Sequence, residues 1–231
     1  MSKKTIIITG VSSGLGKALF DILRTSNARL ICISRTFLEY QTALASDNTM
    51  LLACDLSKPE EVSALTHKLG KLLRGAGDVV FVDNAATIQP IGRVGELNKV
   101  VVEAAAQTNF ITPMIITNAL SAIHSLKQLT VVHVSTGAAR TPIVGWPLYC
   151  ATKSGLKMFY SVMAAQEGNN GRIRVHEFDP GIMDTPMQTQ IRKANSDAFP
   201  RIEEFKNYKK NHALSDPQTV AERLVREYIS V

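Results

Sequence analysis

Tyr149 and Lys153 stand four residues apart, so on a helix both side chains project from one face. A free phenol, with a pKa near ~10, is a poor acid–base group at neutral pH. A neighbouring ammonium favours the phenolate. Lys153 is therefore expected to bring Tyr149 toward the working range, and also to bond the ribose hydroxyls of a nucleotide. Ser135 and Thr136 close the β-branched run just upstream. They would bring hydroxyls to the same crevice, because ligands of open α/β sheets bind at the carboxyl ends of the strands. A Tyr-x-x-x-Lys spacing alone also suits an ordinary helix face; the added hydroxyls favour chemistry.

A second constellation opens the chain: Thr9-Gly10-Val11-Ser12-Ser13-Gly14-Leu15-Gly16 follows an Ile-rich run and leads into an amphipathic segment. Gly10 permits a tight turn, and Gly14 lets the backbone amides of Ser12, Ser13 and Leu15 approach an anion. Gly16 allows helix to pack on strand. A pyrophosphate would then sit at the positive end of a helix. Where dinucleotide folds carry an acidic residue for the ribose diol, this chain has Arg35. A guanidinium suits a 2′-phosphate, so NADP(H) is expected over NAD(H). Asp55 with Leu56 would meet the adenine, and Asn84 with Ala85 would line the adenosine pocket.

The elements that must position these groups alternate along the whole chain. Strands are expected at 5–9, 29–34, 50–53, 78–82, 130–134 and 172–178, and helices at 14–24, 59–73, 96–126 and 149–166. The third helix should break near Thr112-Pro113, and a last one should open at Ser215-Asp216-Pro217 and run to about Ile229. This order predicts an α/β fold: one Rossmann-like, doubly wound parallel sheet of about six strands with helices on both faces, spanning 1–231. Residues 182–213 are too long and polar for an ordinary connection and are expected to form a substrate lid.

Composition narrows the classes. The 231 residues carry net charge +6 and are 45% hydrophobic, an apolar fraction that excludes a disordered chain. The basic residues are scattered without a recognition motif, so no nucleic-acid partner is expected. The apolar stretch from 100 to 123 is interrupted by Glu103, Gln107, Thr108, Asn109 and Asn118, so no membrane span is expected. Met1-Ser2-Lys3-Lys4 runs straight into a strand without a cleavable leader. Three cysteines without paired spacing and five histidines without ligand spacing indicate neither disulfides nor metal. A cytoplasmic location is the expectation.

The glycine turn, Asp55, Asn84-Ala85-Ala86, Asn109, Ser135-Thr136, Tyr149-x-x-x-Lys153 and Pro180-Gly181, in this order, resemble the short-chain dehydrogenase/reductases over nearly the whole chain. Gly145-Trp146-x-x-Tyr149 and the run from Asp179 to Gln188 look most like the benzil and sepiapterin reductase members. The resemblance implies that Tyr149 gives a proton to a substrate carbonyl while Lys153 holds the ribose. It implies that Asn109 supports a water linking Lys153 to solvent, and that Thr185 and the Pro180–Gly181–Ile182 backbone hold the nicotinamide. It puts the polarising hydroxyl at 136, where this chain has threonine, with Ser135 as the fallback.

Three departures stand out. Asp83 and Ala86 replace the family's usual asparagine and glycine. Ser13 replaces a second basic residue, leaving the 2′-phosphate to Arg35 with help from Lys17. The chain stops at Val231 without the customary last strand. Gln89, Ala138, Trp146, Met183 and Met187 are candidates for the substrate wall and suit an apolar or aromatic ketone or diketone. The expected activity is NADPH-dependent carbonyl reduction by a homodimer or homotetramer. The alternative is an NADP(H)-binding sensor or scaffold with little turnover.

Overall fold

The computed structural model describes residues 3–168 and 171–229; Met1, Ser2 and Val231, named above, lie outside them. Strands β1 (Thr5–Thr9), β2 (Arg29–Ser34), β3 (Thr49–Ala53), β4 (Asp78–Asp83), β5 (Gln128–Val134) and β6 (Ile173–Phe178) form one parallel sheet. Their order is β3-β2-β1-β4-β5-β6, as a doubly wound fold requires. The apolar run of β1 is buried throughout, which suits a strand covered on both faces.

Alternate residues feed opposite cores. Ile7, Ile31, Phe81 and Val131 pack with Leu65, Leu120 and Leu156 on one side. Ile6, Ile8, Val80 and Val132 pack with Leu19 and Leu224 on the other. Each such buried side chain contributes about 1.5–3 kcal/mol.

The helices follow the expected order with instructive differences. They are α1 (Gly14–Leu23), α2 (Glu39–Ala43), α3 (Pro59–Leu72), α4 (Lys99–Ala106), α5 (Thr112–Ser121), α6 (Pro147–Glu167), α7 (Pro186–Arg192), α8 (Ile202–Lys210) and α9 (Pro217–Tyr228). The short α2 was not anticipated. The long third helix begins at Lys99 because Asn98 caps it, its Oδ1 accepting from the Val101 amide at 3.2 Å. Its distortion is a π turn over Gln107–Ile111, one turn ahead of the expected break at Thr112-Pro113. Pro113 has no N–H for the Asn109 carbonyl, so the widened turn absorbs the mismatch before the proline arrives.

By length and composition alone, Lys99–Ser121 could cross a membrane; here its inner side sends Ile116 and Leu120 into the core. The helix bearing Tyr149 starts at Pro147 rather than at the tyrosine, the proline occupying the first turn where no amide bond is lost. Asp216 caps α9 as expected, accepting from the Thr219 amide at 3.2 Å.

Candidate active site

The crevice opens at the carboxyl ends of β1 and β4, where the strand order reverses. Its first wall is the turn between β1 and α1, whose backbone is held largely by the side chains of Thr9, Asn84 and Gln41. The Gly10 amide donates to the Ile33 carbonyl at 2.7 Å. Thr9 Oγ1 accepts from the Asn84 and Ala85 amides at 3.1 and 3.0 Å. Asn84 Nδ2 returns bonds to the Thr9 and Gly10 carbonyls at 2.8 and 3.3 Å. That side chain therefore braces the turn instead of reaching into an adenosine pocket.

Gly16 is forced: a Cβ there would stand 2.1 Å from the Gly10 carbonyl oxygen, so it packs on the turn itself rather than on the strand. Gln41 of α2 donates from Nε2 to the Val11 carbonyl at 2.8 Å. No sequence pattern flags it, since a lone glutamine in a polar stretch carries no periodic signal.

Ser13, at the start of α1, makes no side-chain cap bond, which leaves the first amides of the helix facing the crevice. Ser12 Oγ accepts from the Ser34 hydroxyl at 3.3 Å. Arg35 borders the crevice and is exposed, and no hydrogen bond holds its guanidinium among the described residues. Lys17 does not assist it. Its amine pairs with Asp21 at 2.7 Å beside the Tyr40 ring, away from the crevice wall. Burial pushes the Asp55 carboxyl up, but the Ser57 amide and hydroxyl and the Arg35 and Lys58 charges outweigh it, leaving it below the usual carboxylate range. One Asp55 oxygen is thereby committed to Ser57, at 3.0 and 2.8 Å.

From this turn a cavity of about 830 Å³ runs to the start of α6 and the 182–213 segment. It is bordered by every residue named from the sequence as catalytic, cofactor-binding or substrate-binding except Gly16, Lys17 and Asn109. Tyr149 is 9% exposed and Lys153 3%, with the Lys153 amine donating to the Val134 carbonyl at 3.1 Å. The expectation that Lys153 acidifies the phenol is not met. Burial pushes Tyr149 up to about 12, and the Thr136 hydroxyl is what draws it down. Burial also lowers Lys153 below the usual amine range, which weakens the very charge that would stabilise a phenolate.

Thr136 borders the cavity, half-buried, its Oγ1 accepting from the Ala138 amide at 3.3 Å. The Ser135 hydroxyl is shut off from solvent. Asn109, 1% exposed, is consumed by the Thr87 backbone: Oδ1 accepts from the amide at 2.8 Å and Nδ2 donates to the carbonyl at 2.7 Å.

The remote end is aromatic. Trp146 stacks on Phe199 at 4.8 Å and meets Tyr149 and Phe205 edge-on. Gly145 permits this contact, since a Cβ there would stand 2.4 Å from the Ala198 carbonyl oxygen. Ala138 and Met187 pack in the same cluster as the indole, Met183 lines the cavity from the other core, and Gln89 lies exposed at the cavity's edge. Thr185 begins α7, its methyl 3.2 Å from where a Gly14 Cβ would lie; Pro180, Gly181 and Ile182 continue that wall. Gln188, Ile191, Arg201 and Tyr208 border the cavity too and were not anticipated as wall residues.

The chain matches the family model described as short chain dehydrogenase over residues 4–196. Benzil reductase ((S)-benzoin forming) of Bacillus subtilis (strain 168) is 30% identical over 226 residues, covering 95% of this chain and 90% of that protein. Sepiapterin reductase of Mus musculus is 31% identical over 239 residues, covering 95% and 89%. The crystal structure of a short-chain dehydrogenase/reductase from Saccharomyces cerevisiae aligns with TM-score 0.82 at 24% identity, over 98% of this chain and 92% of that one, a likeness of fold. A match over most of its length, converging on the crevice that holds Tyr149 and Lys153, makes this chain a member of the short-chain dehydrogenases, a family of oxidoreductases.

Proposed function

We propose that the protein is an NADPH-dependent carbonyl reductase acting on a small apolar or aromatic ketone or diketone. The observation that carries the reading is the convergence of Thr136, Tyr149 and Lys153 on one cavity that also reaches the glycine turn and Arg35. The residues fit a dinucleotide: the uncapped amides at Ser13 suit a pyrophosphate, and the free Arg35 guanidinium suits a 2′-phosphate. When bound, NADPH supplies a hydride to the substrate carbonyl carbon.

The chain's own groups do the rest. The Tyr149 hydroxyl hands its proton to the carbonyl oxygen, yielding the alcohol. A phenol held up at about 12 stays protonated at neutral pH, as a proton donor must, and a developing alkoxide is basic enough to take the proton. Thr136 polarises the same oxygen with its hydroxyl. Lys153 would hold ribose hydroxyls of the bound dinucleotide, and Thr185 with the Pro180–Ile182 backbone would hold its nicotinamide amide. Asn109 acts through its carbonyl, which Pro113 leaves without the usual helical bond, by holding a water.

The apolar wall of Ala138, Trp146, Met183 and Met187 suits a substrate with few polar anchors, in keeping with the benzil reductase relative. Exposed Ile111 and Ile115 on the α4–α5 run, with Met158 and Val162 on α6, support self-association, to be measured by sedimentation velocity.

The test is NADPH and NADH oxidation by the wild-type protein across a panel of ketones and 1,2-diketones. The expected result is turnover that prefers NADPH and yields the alcohol. Tight NADPH binding with no carbonyl reduced would replace this reading with that of a sensor or scaffold.

A further inference from the structure

Beneath the proposed reactive groups lies a polar cluster that the chemistry above leaves unused. Among the described residues, Asp83 is the one buried carboxylate and Lys153 the one buried lysine or arginine, each 3% exposed. Asp83 ends β4, where the family resemblance expects asparagine. Its Oδ2 accepts from the Tyr160 hydroxyl at 3.1 Å and lies 3.4 Å from Nδ1 of His133, its register partner on β5. Tyr160 shares a hydrogen bond with Thr117 of α5 at 3.1 Å, and its ring lies 4.7 Å from that of His133. Lys153 and Tyr160 project from one face of α6, and the Lys153 amine reaches the carbonyl of Val134, the residue after His133.

A carboxylate inside a sheet requires a positive partner or a full set of hydrogen bonds. The immediate neighbours supply no charge. Burial lowers His133 below its ordinary value, against the pull of Asp83, and burial raises the Tyr160 phenol well above its own. From α5 comes only the uncharged Thr117. On β6 and just beyond it, Glu177 is paired with Lys157 and Arg140, and Asp179 with Arg140. On its own helix Lys153 faces Tyr149, which is uncharged at neutral pH.

We propose that Asp83 is the counter-charge of Lys153: a positioning residue that keeps the amine protonated where it faces the cofactor crevice. Its role in turnover rests on the reductase reading above. Without the carboxylate, a fully buried ammonium would lose its proton at much lower pH.

Asp83→Asn keeps the shape and an acceptor for Tyr160 while removing the charge. Carbonyl reduction is followed from about pH 6 to pH 10. An alkaline fall in this window is assigned to Lys153 where its midpoint follows that of the Lys153 ¹³Cε resonance. In Asp83→Asn that fall is expected about 1–3 units lower than in wild type. The titration of the Lys153 ¹³Cε resonance, identified with Lys153→Met, is expected to move with it. Tyr160→Phe removes a hydrogen bond but keeps the charge, and is expected to leave both midpoints within about half a unit.

An unmoved Lys153 midpoint in Asp83→Asn overturns the proposal, whatever the activity. A wild-type protein that reduces no carbonyl overturns the reductase reading instead, and the resonance titration still decides on Asp83. Should Asp83→Asn not fold, Asp83→Ser carries the same expectation.

Discussion

The two ends of the cavity are built on different principles. At the glycine turn the wall is backbone pinned by side chains: Asn84 bonds the Thr9 and Gly10 carbonyls, Gln41 bonds that of Val11, and Gly16 packs against Gly10. At the far end the wall is side chain, and its centre is a stack between Trp146 and Phe199, residues on separate segments. The first end tolerates almost no change of shape and depends on the few polar side chains that hold its backbone, Thr9, Asn84 and Gln41. The second is an aromatic cluster whose composition, on the proposed reading, would set the space left for a substrate. A common reaction served by many substrates calls for that division: a fixed cradle at one end and an exchangeable wall at the other.

Substitutions at the two ends should separate accordingly. Trp146→Ala is expected to cost about 3–5 kcal/mol of stability by emptying the aromatic cluster. It should leave NADPH affinity within about threefold, read by thermal unfolding and cofactor titration. A parallel collapse of cofactor binding would break the proposed independence of the ends. Gly16→Ala forces a methyl onto the Gly10 carbonyl. It is expected to cost about 1–3 kcal/mol, appearing chiefly as a ten- to hundredfold loss of NADPH affinity. Arg35→Ser should weaken NADPH about tenfold or more and leave NADH unchanged, which isothermal titration with both cofactors checks. Thr136→Ser keeps the hydroxyl and loses only a methyl, so kcat is expected to stay within about threefold. A larger fall would show that the stiff threonine rotamer itself positions the donor.

Much of the cradle was legible in the sequence because its causes are local. The glycine spacing, the six apolar runs and the Asp216-Pro217 helix start each follow from the chain's own short-range chemistry. What escaped was tertiary. Gln41 in α2 bonds a carbonyl thirty residues away, and nothing about its neighbours foretells that. The π turn arises where Pro113 meets an Asn109 that is fully engaged with Thr87, a conflict visible only once both partners are placed.

The ionisation of Tyr149 was misjudged for a related reason. Helical spacing puts Lys153 on the same face as the phenol, but burial dominates both groups; besides burial, Tyr149 responds chiefly to Thr136 and Lys153 to Asp83. Lys17 failed similarly, captured by Asp21 one helical turn away.

The central claim is that the Tyr149 hydroxyl delivers the proton to the substrate oxygen. Single-turnover reduction of a diketone by NADPH, compared between wild type and Tyr149→Phe, tests it most directly. The account predicts a fall in rate of about 10²–10⁴-fold with unchanged NADPH affinity. A rate within a few-fold of wild type would contradict it.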